Sequence, residues 1–194
     1  MEKKDLKPAG VFKYFEEICQ VPRPSKKEEK MIAYLKAFGA KHNLETKVDE
    51  AGNVLIKKPA TPGKENLQTV VLQSHIDMVC EKNNDVQHDF LTDPIETEID
   101  GEWLKAKGTT LGADNGIGVA TELAILADDS IEHGPLECLF TVDEETGLTG
   151  AFALKEGFMS GDILLNLDSE DEGEIFIGCA GGIDSVAEFT YKEV

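Results

Sequence analysis

The chain has 194 residues, 41% of them hydrophobic, with 38 Asp and Glu against 19 Lys and Arg, a formal charge of −19. That length and apolar content support a core of one domain or slightly more, which excludes global disorder. The charge excludes nucleic acid and anionic membranes as partners, because polyanions are held by cationic side chains that displace counterions. The acid is unevenly placed: residues 1–60 hold 13 basic and 9 acidic side chains, residues 61–194 hold 6 and 29. The second segment therefore keeps its carboxylates in water or gathers them around cations.

No apolar run approaches the roughly 20 residues of a membrane span. The start, Met1-Glu-Lys-Lys-Asp-Leu-Lys7, lacks the apolar core of a signal peptide, so a cytoplasmic chain is expected. Cys19, Cys80, Cys138 and Cys179 form no CxxC pair, and isolated buried thiols are expected rather than a disulfide framework or a thiolate zinc site.

Two helices are predicted first. Pro8 suits a first helical turn, and Val11, Phe12, Phe15, Ile18 and Cys19 follow at helical spacing, stopping before Pro22 and Pro24. Ser25-Lys-Lys-Glu28 has the form of a capping box for a helix whose apolar stripe is Met31, Ile32, Leu35 and Phe38. From Leu44 the period becomes that of strands: Leu44, Thr46 and Val48 alternate, Asp49–Asn53 supplies a turn, and Val54-Leu-Ile56 returns as a hairpin.

Gln68–Gln73 reads as a strand buried on both faces, ending in Ser74-His-Ile-Asp77. An acidic loop runs to about residue 100, where Asp100-Gly-Glu-Trp-Leu104 turns into an edge strand. A buried helix with Val119, Ala120, Leu123, Ala124, Leu126 and Ala127 follows the glycine-rich Leu111–Gly118. Pro135–Val142 is a second buried strand, Leu148–Lys155 a short helix and Ile163–Leu167 a third strand before Asp168. The alternation indicates an α/β fold, a mixed, mostly parallel sheet with helices on both faces.

Three sheet strands thus end in His75 and Asp77, in Glu144 and Glu145, and in Asp168. In open α/β sheets ligands bind beyond the carboxyl ends of the strands, so these groups are expected to converge, with Asp114 pointing the same way from its glycine-flanked loop. Five carboxylates and one imidazole cannot all stay charged together without compensation, and the neighbouring Lys and Arg are too few to provide it. Divalent metal is the economical answer. One imidazole with carboxylate oxygens and no thiolate suits zinc, or manganese or cobalt in its place.

Asp77, two residues after His75 on an extended segment, faces the same side and can accept its other ring N–H. Asp114 is the natural bridge of a two-ion site, and only one of Glu144 and Glu145 can comfortably be a ligand. Each piece is weak alone. A lone strand-end His is usually structural, an acidic pair is usually solvated loop, and Gly112, Gly116 and Gly118 mimic a nucleotide fingerprint. That last reading fails, because Asp114 would meet the pyrophosphate and no P-loop Lys follows.

Ser74–Cys80, Gly108–Gly118, Leu139–Gly147 and Leu165–Ser169 together resemble the co-catalytic zinc aminopeptidase and dipeptidase family that includes carboxypeptidase G, and within it the aminoacyl-histidine dipeptidase group. The resemblance covers nearly the whole chain. It implies that His75 and Asp168 bind one metal ion, Glu145 the other, and that Asp114 bridges them. Asp77 would orient His75, and Glu144 would be the general base that later protonates the leaving amine. It also implies a cis peptide between Asp114 and Asn115, and hydrolysis of dipeptides, Xaa-His included.

In that family a lid domain is inserted in the catalytic domain, and a further metal-binding His follows it. The expectation is that residues 1–170 are the N-terminal part of the catalytic domain and 171–194 the truncated start of the lid, opening at Cys179–Asp184. Substrate preference and homodimerisation of the full-length protein would rest with the lid. No His follows Glu145, and His42, His88 and His133 read as ordinary surface or loop residues. Two rival readings are an aminoacylase or deacylase of the same fold, and an inactive metal-binding fragment or interaction module.

Overall fold

The computed structural model describes residues 2–169, 171, 173–179, 181–183 and 185–191. Helix α1 (Ala9–Cys19) begins directly after Pro8 and buries Tyr14, Phe15, Ile18 and Cys19. Helix α2 (Glu29–Lys41) buries Met31, Leu35 and Phe38. The hairpin of β1 (Glu45–Val48) and β2 (Val54–Lys58) forms as its alternation predicts. Strand β3 (Val70–His75) runs two residues further than its apolar stretch suggests, because Ser74 and His75 pair with Phe140 and Thr141 of β6 (Leu136–Thr141). Helix α3 (Ala113–Ala127) joins β3 to β6, and the short α4 (Thr149–Ala153) leads to β7 (Ile163–Asn166).

The five-stranded sheet has the order β1-β2-β6-β3-β7. Only β2 opposes the other four strands in direction, which is the mixed, mostly parallel arrangement. Alternation along the strands divides the core. Val54, Ile56, Leu72, Cys138 and Phe140 face α1, α2 and α3, whereas Leu55, Val71 and Leu139 face Leu154, Phe158 and Met159 after α4. The long helices therefore share one face, and the residues following α4 cover the other. No helix among the described residues is long and apolar enough to cross a membrane.

Asp100-Gly-Glu-Trp-Leu104 turns into an edge strand as expected, and that strand belongs to a separate two-stranded hairpin of β4 (Thr97–Asp100) and β5 (Trp103–Ala106). One local expectation needs correction. Ser25 and Glu28 do not form a capping box. Helix α2 starts only at Glu29, Ser25 donates instead to Asp77, and Glu28 accepts the N–H groups of Lys26 and Asp143. The side chains that would cap the helix are drawn to the strand ends.

Beneath those strand ends, Glu122 of α3 is wholly buried beside the Ser74 hydroxyl, and neither group makes a hydrogen bond of normal geometry. Burial drives the Glu122 carboxyl well above its ordinary pKa, with Ser74 opposing. The folded chain then holds a proton that the unfolded chain releases above the usual carboxylate range, so this group subtracts stability as the pH rises. Glu122→Gln keeps the shape and removes the titration. Compared by urea unfolding, the variant is expected to gain on the parent between pH 5 and pH 8; an equal difference at both values would show Glu122 ionised in the fold.

Candidate metal centre

Strands β6, β3 and β7 lie side by side and parallel, with His75 opposite Thr141 and Gln73 opposite Asn166. The ladder continues past their ends: the Ile76 N–H donates to Thr141 O at 2.9 Å and the Leu167 N–H to Gln73 O at 2.8 Å. The three exits therefore open on one edge, and His75, Asp77, Glu144, Glu145 and Asp168 meet there. Asp114 joins them from the first turn of α3. Gly112 precedes that turn in the left-handed region (φ 68°), and Asp114 and Asn115 leave helical geometry, with a cis peptide between them as the resemblance implies.

His75 is 1% exposed and its two ring nitrogens face opposite partners. Nδ1 lies 3.2 Å from Asp77 Oδ1, while Nε2 lies 2.9 Å from Asp114 Oδ1 and 3.6 Å from Asp168 Oδ1. Burial disfavours the imidazolium, yet hydrogen bonding to Asp168, Asp77 and Asp114 raises its pKa to about 11. Asp168 is correspondingly held down, first by His75. Asn115, 2% exposed, also donates from Nδ2 to Asp168 Oδ1 at 2.5 Å.

Asp77 is fully buried and organises two elements at once. Its Oδ1 also accepts the Glu144 N–H at 3.0 Å; Oδ2 accepts the Ser25 hydroxyl at 2.7 Å and the Glu145 N–H at 3.2 Å. Burial alone would raise this carboxyl, but His75, Ser25 and the Glu144 N–H lower it to about 2. Glu144 moves the other way, raised by burial and then by Asp168, Glu145 and Asp77, and Glu145 is raised by burial and by Asp114. The turn carrying both rests on Asp143 (φ 50°), whose carboxylate accepts the Thr146 and Thr149 hydroxyls at 2.5 Å each.

Donor atoms of His75, Asp114 and Asp168 lie within 4.8 Å of one another, and so do those of His75, Glu144 and Glu145. Both groups can hold a metal ion. The donor set is imidazole and carboxylate without thiolate, which fits zinc, manganese or cobalt. A third acidic group, Glu28, Asp77 and Asp143, spends its oxygens on internal hydrogen bonds. Among the described residues no other histidine belongs to such a group. His42 stacks on Phe38 at 4.4 Å, His88 meets Phe90 at 4.5 Å, and His133 bonds Gly134 O at 2.7 Å. All three are half-buried rather than at the surface.

Residues 71–189 match the peptidase family M20/M25/M40. The chain belongs to that family. It is 54% identical to the cytosol non-specific dipeptidase of Escherichia coli over 94% of its own length and 38% of that protein's. In three dimensions it matches the aminoacylhistidine dipeptidase of Vibrio alginolyticus with a TM-score of 0.87 and 56% identity, over 89% of this chain and 35% of that one. The aminopeptidase PepT of Bacillus cereus matches with a TM-score of 0.71 and 26% identity, over 84% of this chain and 43% of that one. The chain thus spans little more than a third of the dipeptidases it matches. The M20 family is metal-dependent, in keeping with the two donor groups.

Three further residues bear on this centre: Arg23, Ser25 and Asn115. The sequence pattern offers Ser25 as a helix cap, and the resemblance implies for Asn115 the cis peptide but not its bond to Asp168. The available signal for Arg23 is a cation between two prolines, Pro22 and Pro24, in a segment that can be neither helix nor central strand.

Gly118, one turn beyond Asn115, gives the geometry a direct check. A helical Gly→Ala change ordinarily gains about 1 kcal/mol. A Cβ at Gly118, however, falls on Asn115 Oδ1. Gly118→Ala is expected to lose about 1–3 kcal/mol through overpacking, measured by urea unfolding; a gain in stability would contradict the Asn115 placement.

Proposed function

We propose that this chain is the N-terminal part of the catalytic domain of a cytoplasmic dipeptidase of broad specificity, cleaving dipeptides with a free amino end, Xaa-His included, with residues 171–194 opening a lid. Glu172, Ala180, Asp184 and the last three residues of that segment lie outside the described residues. The observation that carries the reading is a buried imidazole whose Nε2 stands 2.9 Å from Asp114 and 3.6 Å from Asp168, with Glu144 and Glu145 beside the same ring. The names and extent of the relatives support the substrate class.

In this reading His75, Asp114 and Asp168 would hold one divalent ion, and Glu145, with Asp114, the other. The ions, zinc or else manganese or cobalt, would supply Lewis acidity toward the scissile carbonyl and acidify a water. The protein's own contribution is positional and proton-handling. Asp77 accepts the Nδ1–H of His75, which orients the ring so that Nε2 faces Asp114 and Asp168 and would present its lone pair there to a bound ion. Glu144 takes the proton of the attacking water and returns it to the leaving amine. Burial and the neighbouring carboxylates raise its pKa above the ordinary carboxylate range, which favours accepting a proton.

Metal content after dialysis separates the roles. His75→Ala is expected to lose metal, whereas Glu144→Ala keeps it and lowers dipeptide hydrolysis by the protein carrying its remaining segments about 10²–10⁴-fold. Equal metal loss in both variants would overturn the assignment. Turnover by residues 1–194 alone is expected to be low or absent.

A further inference from the structure

The connection between α1 and α2 runs beneath the metal centre, and Arg23 is its most buried polar side chain, 2% exposed. Its guanidinium points at backbone. Nη1 donates to Ile76 O at 3.1 Å and Asp77 O at 3.0 Å, and Nη2 donates to Gly112 O at 2.5 Å. The first two carbonyls belong to the turn that follows His75, the third to the turn that presents Asp114. One rigid fork therefore joins the two segments whose side chains meet at His75 Nε2.

The surroundings are shaped to receive it. A Cβ built on Gly112 would lie 2.6 Å from Nη2, and one on Gly116 2.7 Å from it, so both positions leave the space the guanidinium fills. The same connection is tied to the β3 exit twice more, by the Pro24–Met78 bridge and by the Ser25 hydroxyl on Asp77. The charge also faces Asp114 and the fully buried Asp77.

We propose that Arg23 is a positioning residue that locks the β3 exit and the opening turn of α3 at the separation the metal centre requires. This rests on the reading of the site given above. A lysine retains the charge, but its single ammonium cannot span both turns as the planar fork does. Removal of groups that orient metal ligands typically weakens metal binding about 10–100-fold.

The test uses the 194-residue chain and two measurements. Peptide-level hydrogen exchange without metal reads residues 76–79 and 111–117, and calorimetric titration with Mn²⁺ reads affinity. Arg23→Lys is expected to raise exchange in both segments together and to weaken Mn²⁺ binding about 10–100-fold. Leu55→Ala, a core variant in the separate cluster on the other face of the sheet, serves as the control for general destabilisation and is expected to leave the affinity within about threefold. Should Arg23→Lys not fold, Gly116→Ala, which crowds Nη2 and leaves the arginine in place, is expected to move both readouts in the same direction. Unchanged exchange in the two segments, or an affinity loss shared by Leu55→Ala, would overturn the proposal. If the parent chain binds no Mn²⁺, the metal reading itself fails, and exchange alone then decides the role of Arg23.

Discussion

The site depends on one buried hydrogen bond, between His75 Nδ1 and Asp77. With that nitrogen engaged, the ring can turn only Nε2 toward the crevice, and Asp114 and Asp168 stand there. Asp77 can hold the ring because it is itself held. Its two oxygens accept from the ring, a serine hydroxyl and two consecutive backbone N–H groups, which together outweigh the cost of burying the charge. The carboxylate that orients the imidazole is also the one that anchors the Glu144–Glu145 turn, so the two donor groups share a single fixed reference.

Sheet topology makes that sharing possible. Because β6, β3 and β7 are adjacent and parallel, their exits emerge within about 10 Å of one another, two strand spacings across. A slip of one residue in β3 would turn His75 toward the opposite face. The register is kept by the division of the core, with Val71 facing Leu55 and Leu139 on one side and Leu72 facing the helices on the other. Burial energetics of ordinary aliphatic residues thus set the position of the imidazole, several residues from any chemistry.

Charge is the second constraint. Five carboxylates converge, and within the chain the answering cations are the imidazole, strongly favoured in its protonated form, and the Arg23 guanidinium. Expecting too few neighbouring cations was right for the surface and incomplete for the interior. The pair still falls short of five negative charges, and Glu144 and Glu145 are raised first by burial and then by the neighbouring carboxylates. A centre so arranged is stabilised by added positive charge, which is the physical content of calling it a metal centre.

The strand ends were legible because a buried parallel strand is a short apolar run and a polar residue just beyond it stands out; His75, Asp77, Glu144, Glu145 and Asp168 all announce themselves in this way. Asp114 was legible from the glycines around it. The turn into β5 was legible, but its partner β4 was read as acidic loop, because a four-residue strand there buries too little to show a period. Ser25 misled for a different reason, since a helix cap and a carboxylate compete for the same hydroxyl and only the fold decides between them. Arg23 is the extreme case. Its partners are backbone carbonyls 53, 54 and 89 residues away, which carry no side-chain identity for any pattern to match. What such a residue leaves in the sequence is the space around it, two glycines in one helical turn. Gly112 and Gly116, first weighed as a phosphate-binding fingerprint, are in the structure the imprint of a guanidinium.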